Sequence, residues 1–182
     1  MLTPYQIVLR ETAGRDLALL RLEYGVFNSP SPAALYRIGA ATITDVVRGE
    51  LSSRNMRQQK YTSAHYFCIT LTSDVIAEGA TGRVHTAKVE VKTSDGRVYG
   101  YVAAAKIALE QRNRQKLRHE YAVYQHLARQ RVNGVARVYG LFEDAAKEAL
   151  ILIMSHAGTS LAKQPHYRQH RQVSLTLEQK YG

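Results

Sequence analysis

Glu78-Gly79-Ala80-Thr81-Gly82-Arg83-Val84 is a glycine turn between two strand-like runs, and Val102-Ala103-Ala104-Ala105-Lys106 closes a third. On an alternating strand Ala104 and Lys106 share a face, a small residue beside a cation. Residues 110–131 then switch to a helical period, with Leu117, Tyr121, Tyr124 and Ala128 on one stripe. Glu120 projects into that apolar stripe, where a carboxylate costs on the order of a few kcal/mol unless it is paired. A helix packed over the sheet would bring Glu120 to Lys106, and the pair would hold the lysine extended and charged. Gly79 and Gly82 lack a β-carbon, so their backbone can approach a phosphate and present N–H groups to it. Singly, these residues read as a hairpin, a surface lysine and a stripe-edge carboxylate. In this order they form a phosphate-binding arrangement.

Strands are expected on either side. Residues 66–77 are rich in β-branched and aromatic types and run into the glycine turn. A second strand over 83–92 ends at Ser94-Asp95-Gly96-Arg97, a hairpin cue, and a third covers 98–108. Beyond the helix, which Asn133-Gly134 stops, two more strands fall at 136–143 and 150–154. Residues 1–68 are harder to read. Ile7 to Glu11 suits a short strand, residues 17–22 a helical turn or two, and Asn28-Ser29-Pro30-Ser31-Pro32 a loop. Residues 54–60 are polar and without period.

The totals fit one folded domain: 182 residues, 45% hydrophobic and 22% charged. Cys68 is the single cysteine, which excludes an internal disulfide and a cysteine-rich metal site. The apolar run 149–154 is too short to cross a bilayer, and the first dozen residues have no signal-like apolar stretch. An intracellular protein, cytoplasmic or nuclear and without a membrane association, is the expectation. The net charge of +10 admits a polyanionic partner, but the basic residues are scattered. Their densest block is Arg112, Arg114, Lys116 and Arg118.

With these residues in place, 71–161 resembles the N-terminal lobe of a eukaryotic-type protein kinase. Residues 77–84 look like its glycine-rich loop, with Ala77 at the first glycine position, and Ala103-Ala104-Ala105-Lys106 looks like its Val-Ala-Ile-Lys strand. The wording around Glu78, Leu117, Tyr139 and Met154 is also similar to kinase-like domains of fungal proteins. The resemblance implies an α+β fold: a five-stranded antiparallel sheet, one αC-like helix, and an irregular N-terminal extension over 1–68. Residues 69–157 would be the lobe, and 158–182 the start of a truncated second lobe. It implies that Lys106 contacts the α/β-phosphates of ATP and that Glu120 is its ion-pair partner. Gly79 and Gly82 would cradle the phosphates, Val84 and Ala104 would roof the adenine, and Met154 would match the gatekeeper. Ser155, His156 and Ala157 would be the hinge whose backbone meets the adenine edge.

The departures from that family are equally specific. A kinase needs His-Arg-Asp, a downstream Asn and then Asp-Phe-Gly. Here His170-Arg171-Gln172 replaces the first, and the others are missing before Gly182. The chain therefore reads as a truncated, pseudokinase-like polypeptide (a fragment, a shortened gene model or a degenerate copy). It would bind ATP weakly and be inactive alone, with Mg²⁺ held only if a second lobe exists. One alternative is a non-catalytic interaction module meeting a protein partner through the exposed underside of the lobe. The other, ranked lower, is a basic nucleic-acid-binding domain.

Overall fold

The computed structural model describes residues 3–24, 27–28, 32–39, 66–79, 81–144 and 148–157. The polar stretch 54–60, most of the 28–32 loop and the whole of 158–182, including His170-Arg171-Gln172, lie outside the described residues.

The chain opens with helix α1, Pro4–Ala13. The Thr3 hydroxyl accepts from the Gln6 N–H at 3.3 Å, and the Gln6 side chain accepts from the Thr3 N–H at 2.9 Å. Pro4 stands in the first turn, where its missing N–H costs nothing. This cap overrides the β-propensity of Ile7 and Val8, so the strand expected over 7–11 is a helix. Val8 is fully buried, and Tyr5 and Leu9 pack beside it against the main core.

Strand β1, Leu17–Tyr24, replaces the helical turn expected over 17–22. Ala18 and Leu20 face the main core, while Leu17 and Leu19, alternating with them, are also buried. A strand covered on both faces reads as an unbroken apolar run, which hides its period of two. The remaining elements are β2 (Phe27–Asn28), β3 (Ala33–Arg37), β4 (Tyr66–Gly79), β5 (Gly82–Lys92), β6 (Val98–Ala108), α2 (Gln111–Arg129), β7 (Val138–Asp144) and β8 (Leu150–Ser155).

The strands run in the order β2-β1-β3-β7-β8-β6-β5-β4, and β4 returns to β1. That last ladder is parallel, from Leu17 opposite Tyr66 to Glu23 opposite Thr72, and the others are antiparallel. The result is a closed, mixed, seven-stranded barrel with β2 appended to β1. It corrects the expectation of an open five-stranded antiparallel sheet with one αC-like helix and an irregular extension. Strands β4 to β8 form one contiguous antiparallel stretch, but β1 and β3 bond to β4 and β7 and remove both open edges. The hairpin after β5 also differs in detail, since Gly96 alone of its residues takes a positive φ, 83°.

Apolar side chains fill the barrel. Phe67 and Phe142 meet edge to face with centroids 5.5 Å apart, and Ala87, Ala103 and Ala105 leave room for them. Two arginines lock α1 to the wall. Arg15 donates to the carbonyls of Tyr66 and Lys92, each at 2.7 Å, joining β4 to β5. Arg37 donates to the carbonyls of Thr12, Arg15 and Tyr139 at 2.6, 3.1 and 2.8 Å, and its guanidinium lies 4.8 Å from the centre of the Phe142 ring.

Gly140, at a register shift in β7, leaves the space that Arg37 occupies. A β-carbon there would collide with the guanidinium and stand 2.8 Å from the Phe142 ring. Gly140→Ala should therefore cost about 2 kcal/mol or more of stability. Gly100→Ala meets first the flexible end of Lys88, at 3.3 Å, and should cost less than about 0.5 kcal/mol. Urea unfolding of the two variants checks this; equal losses would refute the Arg37 clamp.

Candidate functional site

Strand β6 serves both sides of the barrel wall. Ala103 and Ala105 face the interior, and Ala104, Lys106 and Ala108 face outward beneath α2. The helix reaches that wall through Leu117, its one fully buried residue, with Tyr121 and Tyr124 packing alongside. Ile76, Val84, Val138 and Met154 complete this second apolar cluster.

Glu120 enters from the same helix. Lys106 Nζ stands 3.1 Å from Glu120 Oε1 and 2.7 Å from Oε2. Both side chains are largely shielded, 13% and 25% exposed. The Thr81 hydroxyl donates to Glu120 Oε2 at 3.3 Å, so the glycine hairpin is tied to the helix through the carboxylate. Lys106 has three N–H donors, and the carboxylate takes two. Among the described residues the third has no partner. Burial and then the Glu120 charge push the Tyr124 phenol above its ordinary range.

Several expected residues converge here. In the ladders Val84 lies opposite Lys106, and Ala104 opposite Met154, so a small apolar platform adjoins the ammonium. Gly79 and Gly82 pair across the hairpin mouth. Gly82 has φ 137°, and a β-carbon there would run into the Ile107 carbonyl, so wall packing alone demands glycine. Gly79 is under no such constraint, with 3.9 Å to its nearest neighbour.

The expected hinge is placed differently. Ser155 donates its N–H to the Arg137 carbonyl at 2.7 Å, and its hydroxyl accepts from the Arg137 N–H at 2.9 Å. Its backbone donor is thus spent on the connector before β7. His156 borders another hollow, beside Val98 and Val102, and Ala157 is exposed.

Three nearby residues were not singled out from the sequence as site residues. Thr81 sits in the turn, where a hydroxyl beside two glycines is an ordinary hairpin residue. Lys116 and His119 join Thr81 and Glu120 around a shallow groove of about 630 Å³. Lys116 lies four residues before Glu120, a helical neighbourhood that could have flagged it, whereas His119, directly before Glu120 in sequence, carries no such signal. Arg118, counted in the basic block, points instead to Glu143 at 2.7 Å and braces α2 on β7.

The sequence matches no known family model, and no curated protein matches it. With the barrel closed by β1 and β3, these findings overturn the resemblance to a kinase N-terminal lobe. No helix among the described residues is long and apolar enough to cross a membrane.

Removing either partner strands the other in a shielded place. Lys106→Ala and Glu120→Ala should each cost about 2 kcal/mol. The double variant should cost less than their sum by about 1 kcal/mol. Chemical denaturation of the four proteins measures the difference; strict additivity would show that the contact carries no energy.

Proposed function

We propose that this protein binds an adenine nucleotide on its outer wall beside α2, and does not by itself transfer the phosphoryl group. The observation that supports this reading is the Lys106 ammonium, held by both oxygens of Glu120 with one N–H to spare. That N–H is a preset donor for a phosphate oxygen, and its fixed position lowers the entropy cost of binding. Val84, partly buried and opposite Lys106 in the ladder, offers an apolar contact for the base at the edge of the wall, while Ala104 and Met154 are buried beneath it. The mainly apolar groove bordered by Lys116 and His119 opens beside it, with the Lys116 cation at its edge. Phosphoryl transfer is left out because Glu120, the carboxylate at this place, is committed to Lys106 and Thr81. It is not placed to take a proton from an attacking hydroxyl.

A wall open on one side holds a nucleotide loosely, so a dissociation constant on the order of 0.1–1 mM is expected. Fluorescence anisotropy of N-methylanthraniloyl-ATP measures it. Lys106→Ala should weaken binding by about tenfold or more, and the AMP analogue should bind less well than the ATP analogue. No saturation at millimolar protein, or an unchanged constant for Lys106→Ala, would overturn the reading.

A non-catalytic interaction module is the second reading. Val98 and Val102 are 63% and 51% exposed on the outer face of β6. With His156 they border a hollow of about 700 Å³. β8 pairs with β6 only from Ala103 onward, so residues 98–102 carry no second strand partner among the described residues. Light scattering across a concentration series tests it: a monomer at every concentration, unchanged by Val102→Lys, would count against self-association there.

A further inference from the structure

Another cavity, of about 660 Å³, lies between the C-terminal half of α2, the connector 130–137 and β7. Arg37, Arg131 and Arg137 contribute to its wall with Tyr121 and Tyr124, and among the described residues no aspartate or glutamate does. It shares no lining residue with the Lys106–Glu120 pair.

Arg37 is the anchor. Its side chain is 14% exposed, and its three hydrogen bonds go to neutral carbonyls. The nearest carboxylate, Asp16, stands 3.9 Å from Nε. A guanidinium has five N–H donors, so two remain for another acceptor. Burial lowers the Arg37 pKa, with Tyr121 and Asp16 acting weakly the other way. This cation is therefore shielded from water and only partly compensated. Among the described residues Arg131 and Arg137 pair with no carboxylate. Arg131 takes φ 54°, turning the chain out of α2 and into the connector, and Gly134 takes φ 80°. The last carbonyls of α2 carry partial negative charge nearby, which the arginines outweigh. Glu120 acts on Tyr124 from the neighbouring turn of α2, but it is held by Lys106 and Thr81.

We propose that this cavity binds a small organic anion with a planar apolar body. The acid group, whether carboxylate, sulfonate or phosphate, meets the arginines, where forked donors suit its paired oxygens. The body lies against Tyr121 and Tyr124, the half-buried end of the helical stripe. The size and the few convergent polar groups match those of a small-molecule site.

The probe is 1-anilinonaphthalene-8-sulfonate, with the uncharged N-phenyl-1-naphthylamine as its comparator, titrated by fluorescence. The sulfonate should bind saturably at one site, about tenfold or more tighter than the uncharged dye, and more weakly as salt rises. Arg131→Gln with Arg137→Gln, both exposed positions whose change spares the core, should weaken it about tenfold. Tyr124→Ala should also weaken it. His119→Ala, an exposed change in the groove beside Lys106 that leaves Glu120 paired, should leave it unchanged, which separates this site from the nucleotide reading. Equal affinity for the two dyes, or an undiminished constant in the double arginine variant, would overturn the proposal.

Discussion

The parallel ladder between β1 and β4 is the constraint on which the remaining architecture rests. It runs from Leu17 and Tyr66 to Glu23 and Thr72 and converts a curled sheet into a cylinder. Without it β4 and β1 would each present unpaired N–H and C=O groups, and the main core would lie open on one side. Closure also explains why an eight-residue run such as Leu17–Tyr24 is apolar on both faces at its start. The buried guanidiniums of Arg15 and Arg37 then satisfy carbonyls at the corner where α1 enters, which apolar side chains could not do.

Because the interior is filled, any site must be built on the outer wall. Strand β6 shows how one segment meets both demands. Its alternate alanines pack inward, while Ala104 and Lys106 turn toward α2. Lying against that wall, α2 creates two places where charge is held out of bulk water. At one, a lysine is matched by a glutamate. At the other, arginines line a hollow with aromatic rings, and among the described residues no acid lines it, the nearest to Arg37 being Asp16 at 3.9 Å. The contrast is chemical: the first stores a prepositioned cation, and the second leaves cationic charge for something else to neutralise.

The sequence made the centre of the chain legible and the N-terminal part not. Strands β4 to β8 and α2 carry strong local signals: β-branched runs, Asp95-Gly96, and a stripe through Leu117 and Tyr121. The Lys106–Glu120 contact followed from one charged residue placed in an apolar stripe, since burial without a partner is costly. Helix α1 was hidden because Ile7 and Val8 favour strands, though Thr3, Pro4 and Gln6 spelled a cap. β1 was hidden because burial on both faces erases alternation. Closure itself had no local signature at all: it is a long-range pairing, and the motif-level likeness of the central segment pointed to an open sheet. Arg37 was missed for a related reason. Its acceptors are carbonyls of Thr12, Arg15 and Tyr139, which leave no mark on side-chain patterns.

The seam has a temporal consequence as well. β1 leaves the ribosome some fifty residues ahead of the strand it must lie beside, at about 5–20 residues per second. For several seconds Leu17, Leu19 and Leu20 have no β4 to shelter them, and the nascent chain carries a sticky segment. Parallel pairing across so long a loop is entropically slow to nucleate, so cylinder closure belongs to the late events of folding. A cell making this protein therefore has a use for chaperones that shield residues 17–24 during synthesis.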